Sequence, residues 1–291
     1  MRYEVLNTSS ALLAAVAIAA CGGGDGGSSG GGDDTGGAAP AAAIDPATVG
    51  TISGTVNFAG TPPPMTAIDM SQEGDCAAGY GASGPMTEEV VAANGKLANV
   101  FVRLTNVSGA PAATGAVTLD QHNCRYTPHV LGVQVGQDLK ITNSDNLLHN
   151  INASPTDNRG FNISQPRAGI ESTQRFALAE VMIPVKCDVH GWMQAYIGVV
   201  SHPYFATSGP DGSFRISNVP AGDYVMEAWH ERYGVQTANV TVTAQGTVEA
   251  SFNYSADMAG ASVPLGEPLV VRHGAHGIEA ERGSVNAGAG R

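Results

Sequence analysis

Apolar residues in this chain recur at every second position and almost nowhere at the spacing of a helix. "HVLGVQVG" sets Leu131, Val133 and Val135 on one face, and "DLKITNSD" sets Leu139 and Ile141 against Lys140 and Thr142. "VMIPVKC" aligns Val181, Ile183, Val185 and Cys187, and "KLANVFVRLTN" (96–106) alternates through Leu97, Asn99, Phe101 and Arg103. Such alternation suits a pleated strand with one buried face. Gly, Pro, Asn and Asp separate the runs, as turns do. The expected fold class is all-β, built of antiparallel sandwiches. "GPDGSFRISNVPAGDYVMEAW" (209–229) predicts a three-strand meander, with turns at Asp211-Gly212 and at Pro220 to Gly222.

The 291 residues suffice for one or two domains with real cores. Ten of the sixteen residues from Gly22 to Gly37 are glycine, so this stretch reads as a flexible linker. The tail, 255–291, is rich in Gly and Ala and is expected to be disordered. The formal net charge of −12 argues against nucleic acid and against an anionic membrane surface as partners. It suits an acidic soluble protein, or one that meets an electron-transfer partner with a basic face.

The run "ALLAAVAIAA" (11–20) is too short to span a bilayer as a stable helix. Arg2 supplies a weak positive region that Glu4 offsets. The run ends in "IAAC", which resembles a bacterial lipobox. The resemblance makes 1–20 a lipoprotein signal peptide and Cys21 the lipidated first residue of the mature chain. The protein would be exported and lipid-anchored, facing the periplasm or the cell surface. A linker over 21–49 would give the anchored domain a reach of about 30 Å. The alternative is an ordinary secretory signal followed by a chance cysteine.

Export constrains the four cysteines, because thiols outside the cytoplasm become disulfides, lipid anchors or metal ligands. With Cys21 assigned, three remain, and one of them should be unpaired. Cys76 and Cys124 are best paired as a disulfide, whose loop would contribute about 4 kcal/mol on the chain-entropy model. The alternative is a second metal site that uses Cys124 with His122 or His129. Cys187 lies in "KCDVHGWM" (186–193), where Cys187, His190 and Met193 follow one another at intervals of three.

Upstream, "VTLDQHNCRYTPHVLGVQVGQDLKITNSDNLLHN" (117–150) runs from aromatic-x-Pro through two strands to "N-x-D" and a histidine. This arrangement, with the Cys-loop-His-loop-Met that follows, resembles the cupredoxins over 115–201. The short gaps resemble the amicyanin type more than plastocyanins or azurins. The resemblance implies one type 1 (blue) copper held by His149, Cys187, His190 and Met193. Two imidazoles and a thiolate with a weak axial thioether form a set associated with electron transfer. Asn150 is placed to fix the ligand loops by hydrogen bonding. Trp192 is either part of an apolar docking patch around an exposed histidine edge or a cap on the core. A binuclear copper centre would need a second cysteine at position 183, which is Ile183. Structural zinc would want closed Cys/His ligation without methionine, and a copper nitrite reductase would need further paired histidines.

"GTVNFAGTPP", "NVFVRL" and the 209–229 pattern resemble a carboxypeptidase-regulatory-like (prealbumin-like) sandwich. The expected organisation is one such domain over 50–108 and 203–254, interrupted by the cupredoxin unit. The alternative is three small units in a row. His202 reads as structural, His230 as surface or packing, and Glu227 and Glu231 as solvated rim residues. His273 and His276 lie in the tail.

The function implied is that of a one-electron carrier and not an enzyme. Its partner would be a redox protein, either a cytochrome or another copper protein. Two rivals stand beside this reading. One is a copper storage or delivery module that uses the same ligands. The other is a glycan- or partner-binding sandwich in which copper is only structural.

Overall fold

The computed structural model describes residues 45–81, 84–107 and 110–258. The expected signal segment with Cys21, most of the expected linker, and His273 and His276 lie outside the described residues. The described chain is all-β, in four sheets. Among the described residues no helix is long and apolar enough to cross a membrane.

Two sheets enclose one core. In the first, Val49–Ala59 pairs antiparallel with Ser213–Pro220 and parallel with Thr247–Ser255. The second runs Phe205–Thr207, Phe101–Leu104, Gly222–His230, Gly234–Val242. Ile52, Val56, Leu97, Val102, Leu104, Phe214, Met226, Tyr233 and Tyr254 fill the space between them. The strands before residue 105 thus pair directly with strands after residue 204.

The other two sheets lie between these segments in sequence and enclose a second core. One runs Phe161–Gln165, His149–Ala153, Glu180–Lys186, Gln194–Val200, Val130–Gln134. The other runs Glu171–Gln174, Asp138–Asn143, Ala116–His122, Arg125–Thr127. Leu119, Leu139, Ile141, Ile151, Ile183, Val185 and Ile197 meet between them. Burying a side chain of this size is worth about 1.5–3 kcal/mol, so the alternating faces of these strands determine which side turns inward.

A smaller apolar seam joins the two halves through Phe101, Val130, Tyr196, Val200 and Trp229, with Phe205 against it. Gly132 and Gly198 are register partners on adjacent parallel strands. A Cβ on Gly132 would lie 2.2 Å from the Phe205 ring, and one on Gly198 would lie 2.6 Å from Phe101. The two glycines form a flat patch that admits both rings.

The expected meander at 209–229 does not form. Ser213–Pro220 pairs with Val49–Ala59, whereas Gly222–His230 pairs with Phe101–Leu104 and Gly234–Val242. Both strands alternate towards the same core, but from opposite sheets, and the short link at Ala221 turns the corner. The run at 96–106 also divides. Asn99 takes φ 60°, a left-handed conformation that asparagine tolerates. Lys96–Leu97 then belongs to one sheet and Phe101–Leu104 to the facing one. The start of the expected disordered tail is ordered, as Ser255 ends a strand and Ala256–Met258 forms a 3-10 turn.

Candidate metal centre

Three sequence-separated pieces converge at one end of the second core. His149 begins the strand His149–Ala153, Cys187 follows the strand Glu180–Lys186, and His190 and Met193 sit on the loop that leads to Gln194–Val200. Their backbone closes the loop on itself. The Cys187 N–H donates to the Met193 carbonyl at 3.1 Å and the Met193 N–H donates to the His190 carbonyl at 2.9 Å. The His190 N–H points at Cys187 Sγ, 3.4 Å away. The three-residue spacing therefore suits a tight loop that turns thiol, imidazole and thioether into one buried region.

The donor atoms of His149, Cys187 and His190 lie within 4.8 Å of one another, and all three residues are buried. The two Nδ1 atoms are 3.0 Å apart, and Cys187 Sγ is 3.9 Å from His190 Nδ1. Met193 is buried beside Cys187 in the second core. Cys187 is the one free cysteine among the described residues.

Neighbouring groups hold these side chains in place. Asn150 Oδ1 accepts from the Cys187 thiol at 3.3 Å and from the Asp188 N–H at 2.7 Å. Asn150 Nδ2 donates to Asn162 and to Asp188. Tyr126, buried, donates its hydroxyl to the Asn150 carbonyl.

Asp145 is a residue whose part the sequence reading missed. Its Oδ2 accepts from His149 Nε2 at 2.9 Å. The same carboxylate accepts the N–H groups of Asn123 and Cys124 at 2.8 and 2.7 Å. It fixes the His149 ring so that Nδ1 faces the donor cluster, the usual job of a carboxylate behind a ligating imidazole. The available signal was an aspartate four residues before the histidine, inside the "N-x-D" landmark.

Burial opposes ionisation of the Cys187 thiol. Hydrogen bonding with His149 and with the backbone at Asn150, His190 and Val189 outweighs it, and the thiol sits below its ordinary value. Burial also opposes a charge on His149, yet Cys187 and Asp145 raise its pKa. His190 is lowered, first by burial and then by His149. A thiol that ionises readily beside a neutral imidazole is what metal binding asks of these groups.

The expected exposed histidine edge is absent. His190 is 2% exposed, because the short helix Gly74–Ala78 lies over it and presents Cys76 Sγ 3.8 Å from His190 Nε2. Cys76 is bonded to Cys124 as a disulfide, with Cα atoms 5.5 Å apart. Trp192 is half-buried and donates its indole N–H to the Cys124 carbonyl at 3.0 Å. It helps to cap the site and does not frame an open edge.

The second site imagined for Cys124 with His122 or His129 does not assemble, since Cys124 is in the disulfide. His129 instead meets Glu231 at 2.6 Å. Glu227 likewise pairs with Arg103 at 2.8 Å, both largely buried. Neither glutamate is a solvated rim residue. His202 Nε2 donates to the Leu104 carbonyl at 3.0 Å and is structural. His230 is buried against Tyr233 and Tyr254.

A family model described as polysaccharide lyase family 4, domain II matches residues 174–250. No curated protein matches the chain. Among solved structures, a copper-containing nitrite reductase from Thermus scotoductus SA-01 is similar at 19% identity and a TM-score of 0.27. The match covers 32% of this chain and 24% of that one, so it spans about a quarter of the reductase. A purple cupredoxin from Nitrosopumilus maritimus is similar at 22% identity and a TM-score of 0.25, covering 28% of this chain and 97% of that one. A reduced Cu(I) form of an amicyanin mutant is similar at 21% identity and a TM-score of 0.26, covering 30% and 85%. The similarity to cupredoxins is thus weak and partial, and the argument for a metal rests on the donor set itself.

Proposed function

We propose that the chain holds one copper ion through His149, Cys187, His190 and Met193, and serves as a one-electron carrier. The observation that carries this reading is the convergence of two imidazoles and a free thiol within 4.8 Å, buried, with both Nδ1 atoms turned inward. Soft sulfur combined with imidazole fits copper better than it fits calcium or magnesium. Copper bound there would supply a Cu(II)/Cu(I) couple. The chain supplies a dry pocket, a thiol biased towards ionisation and rings held by Asp145 and Asn150. A rigid pocket of this kind changes little when the charge at its centre changes. The reading includes no substrate and no reaction catalysed by the protein.

The rest of the proposal concerns context. Residues 115–201 form the copper-binding unit, inserted into an outer prealbumin-like sandwich over 50–108 and 203–254. The pairing of Val49–Ala59 with Ser213–Pro220 across that interval supports the insertion. Cys21 would carry the lipid, and 21–49 would tether the unit at the periplasmic or cell-surface face of a membrane. The electron partner would be a cytochrome or another copper protein.

A second reading, copper storage or delivery, is favoured by the burial of His190 under the Cys76–Cys124 disulfide. An imidazole edge covered on one side slows exchange of electrons with a docked protein. Cyclic voltammetry of the copper-loaded chain separates the two. A reversible one-electron wave supports the carrier. Tight Cu(I) binding without a wave supports storage or delivery.

A further inference from the structure

The disulfide lies against the imidazole of His190, a copper ligand in the reading proposed above, on which this inference builds. Cys76 and Cys124 Sγ and a His190 ring nitrogen all lie within 4.8 Å of one another, and all three residues are buried. His190 Nε2 is the atom that faces Cys76, at 3.8 Å, while Nδ1 faces His149 at 3.0 Å. The ring thus offers one nitrogen to each of two donor groups. We infer that reduction of Cys76–Cys124 creates a second, outer metal site, in which the two thiolates and His190 Nε2 bind Cu(I).

Two thiolates with one imidazole form a soft set that selects Cu(I). Asp145, whose carboxylate lies within 4.8 Å of Cys124 Sγ, is already committed to His149, Asn123 and Cys124. Three donors therefore remain, which suits a monovalent copper ion better than the closed four-ligand shell of structural zinc. A surface pocket of about 310 Å³ reaches Cys124 of this group, lined by Asp75, Asn123, Cys124, Asp145, Asn146 and Leu147. Its two carboxylates favour the approach of a cation.

A neutral imidazole has one lone pair to give, so His190 serves one group at a time. The outer and inner sites are alternative positions on either face of the same ring. Copper taken up outside can pass inward by ligand exchange as the His190 proton moves from Nδ1 to Nε2 through solvent, without a change of oxidation state. Closure then restores the disulfide.

The sulfur chemistry balances by thiol–disulfide exchange. A dithiol protein gives two electrons and two protons to the Cys76–Cys124 bond and becomes a disulfide itself. Cu(I) then displaces the two thiol protons. After copper leaves, a disulfide-bearing protein takes two electrons and two protons from the cysteines and reforms their bond.

The test uses the full chain with Cys187→Ser, which removes the inner thiol and leaves the outer donors intact. The protein is reduced, freed of reductant under anaerobic conditions and titrated with Cu(I) against a chromophoric chelator. The expected result is one Cu(I) bound more than about a hundredfold tighter than by the oxidised variant, since even the loss of a supporting partner costs 10–100-fold. X-ray absorption should show two cysteine sulfurs, and adding Cys76→Ser should remove the effect of reduction. Equal affinity in both states, a sulfur shell unchanged by Cys76→Ser, or loss of the β fold by circular dichroism on reduction would each overturn the inference. The inner-site reading is tested separately, because it concerns the oxidised chain with Cys187 present.

Discussion

Asp145 and His149 form a part-buried carboxylate–imidazole pair, with Oδ2 2.9 Å from Nε2. The pair determines which nitrogen of His149 faces Cys187 and His190. Asp145→Ala removes that constraint and leaves two backbone N–H groups, those of Asn123 and Cys124, without an acceptor. Copper affinity should fall about 10–100-fold, measured by competition with a chelator at constant pH. Unchanged affinity would show that the ring is positioned by packing alone.

The Cys76–Cys124 bond closes a loop of 48 residues and ties the helix Gly74–Ala78 over His190. Replacing both cysteines by alanine should lower stability by up to about 4 kcal/mol. The loss should appear as a lower denaturant midpoint in the metal-free oxidised protein. The same variant should expose His190, seen as faster modification of its ring by diethyl pyrocarbonate. If neither quantity changes, the helix is held by other contacts.

The glycine pair at the seam is a packing requirement. A methyl at Gly132 would press on Phe205 and Phe101, and one at Gly198 on Phe101 and the Met182 sulfur. Gly132→Ala should cost about 1–3 kcal/mol by overpacking. A thermal midpoint equal to that of the wild type would show that the rings can move aside.

Two buried histidines near the seam act in opposite directions with pH. Burial depresses the His230 pKa to about 3, assisted by His129 and Arg232, and its Nε2 has no hydrogen-bond partner among the described residues. A histidine depressed in the fold stabilises fully above its unfolded value near 6.5, and that stability is lost as pH falls towards 3. His129 is disfavoured by burial, but Glu231 raises it above its usual value. Its contribution is complete below pH about 6.5 and is lost as pH rises through the raised value. His230→Gln should therefore remove about 3 kcal/mol of the loss between pH 7 and pH 4. His129→Gln should instead flatten the decline on the alkaline side. Urea denaturation from pH 4 up through the alkaline side of neutrality checks both.

Much of the site was legible in the sequence because its signal is local. The alternation through Val181, Ile183 and Val185 runs directly into Cys187, so the inward direction of the thiol followed from a period of two. Cys187, His190 and Met193 share one loop, and their spacing is visible without a fold. The cover over His190 was not legible in this way. Cys76 lies 114 residues from His190, and no periodicity connects them. Glu231 and His129 are 102 residues apart, so the glutamate looked like a solvated charge. The 209–229 segment misled for a different reason. Phe214 and Ile216 alternate just as Met226 and Ala228 do, and a period of two does not say which of two facing sheets receives each strand.

The central claim is that the Cys187 sulfur joins two histidines in binding one copper ion, and visible absorption with EPR of the Cu(II)-loaded chain tests it most directly. The account predicts an intense thiolate-to-copper band with narrow copper hyperfine splitting, both lost in Cys187→Ser. A colourless Cu(II) protein with ordinary wide splitting, or a blue colour that survives Cys187→Ser, would contradict it.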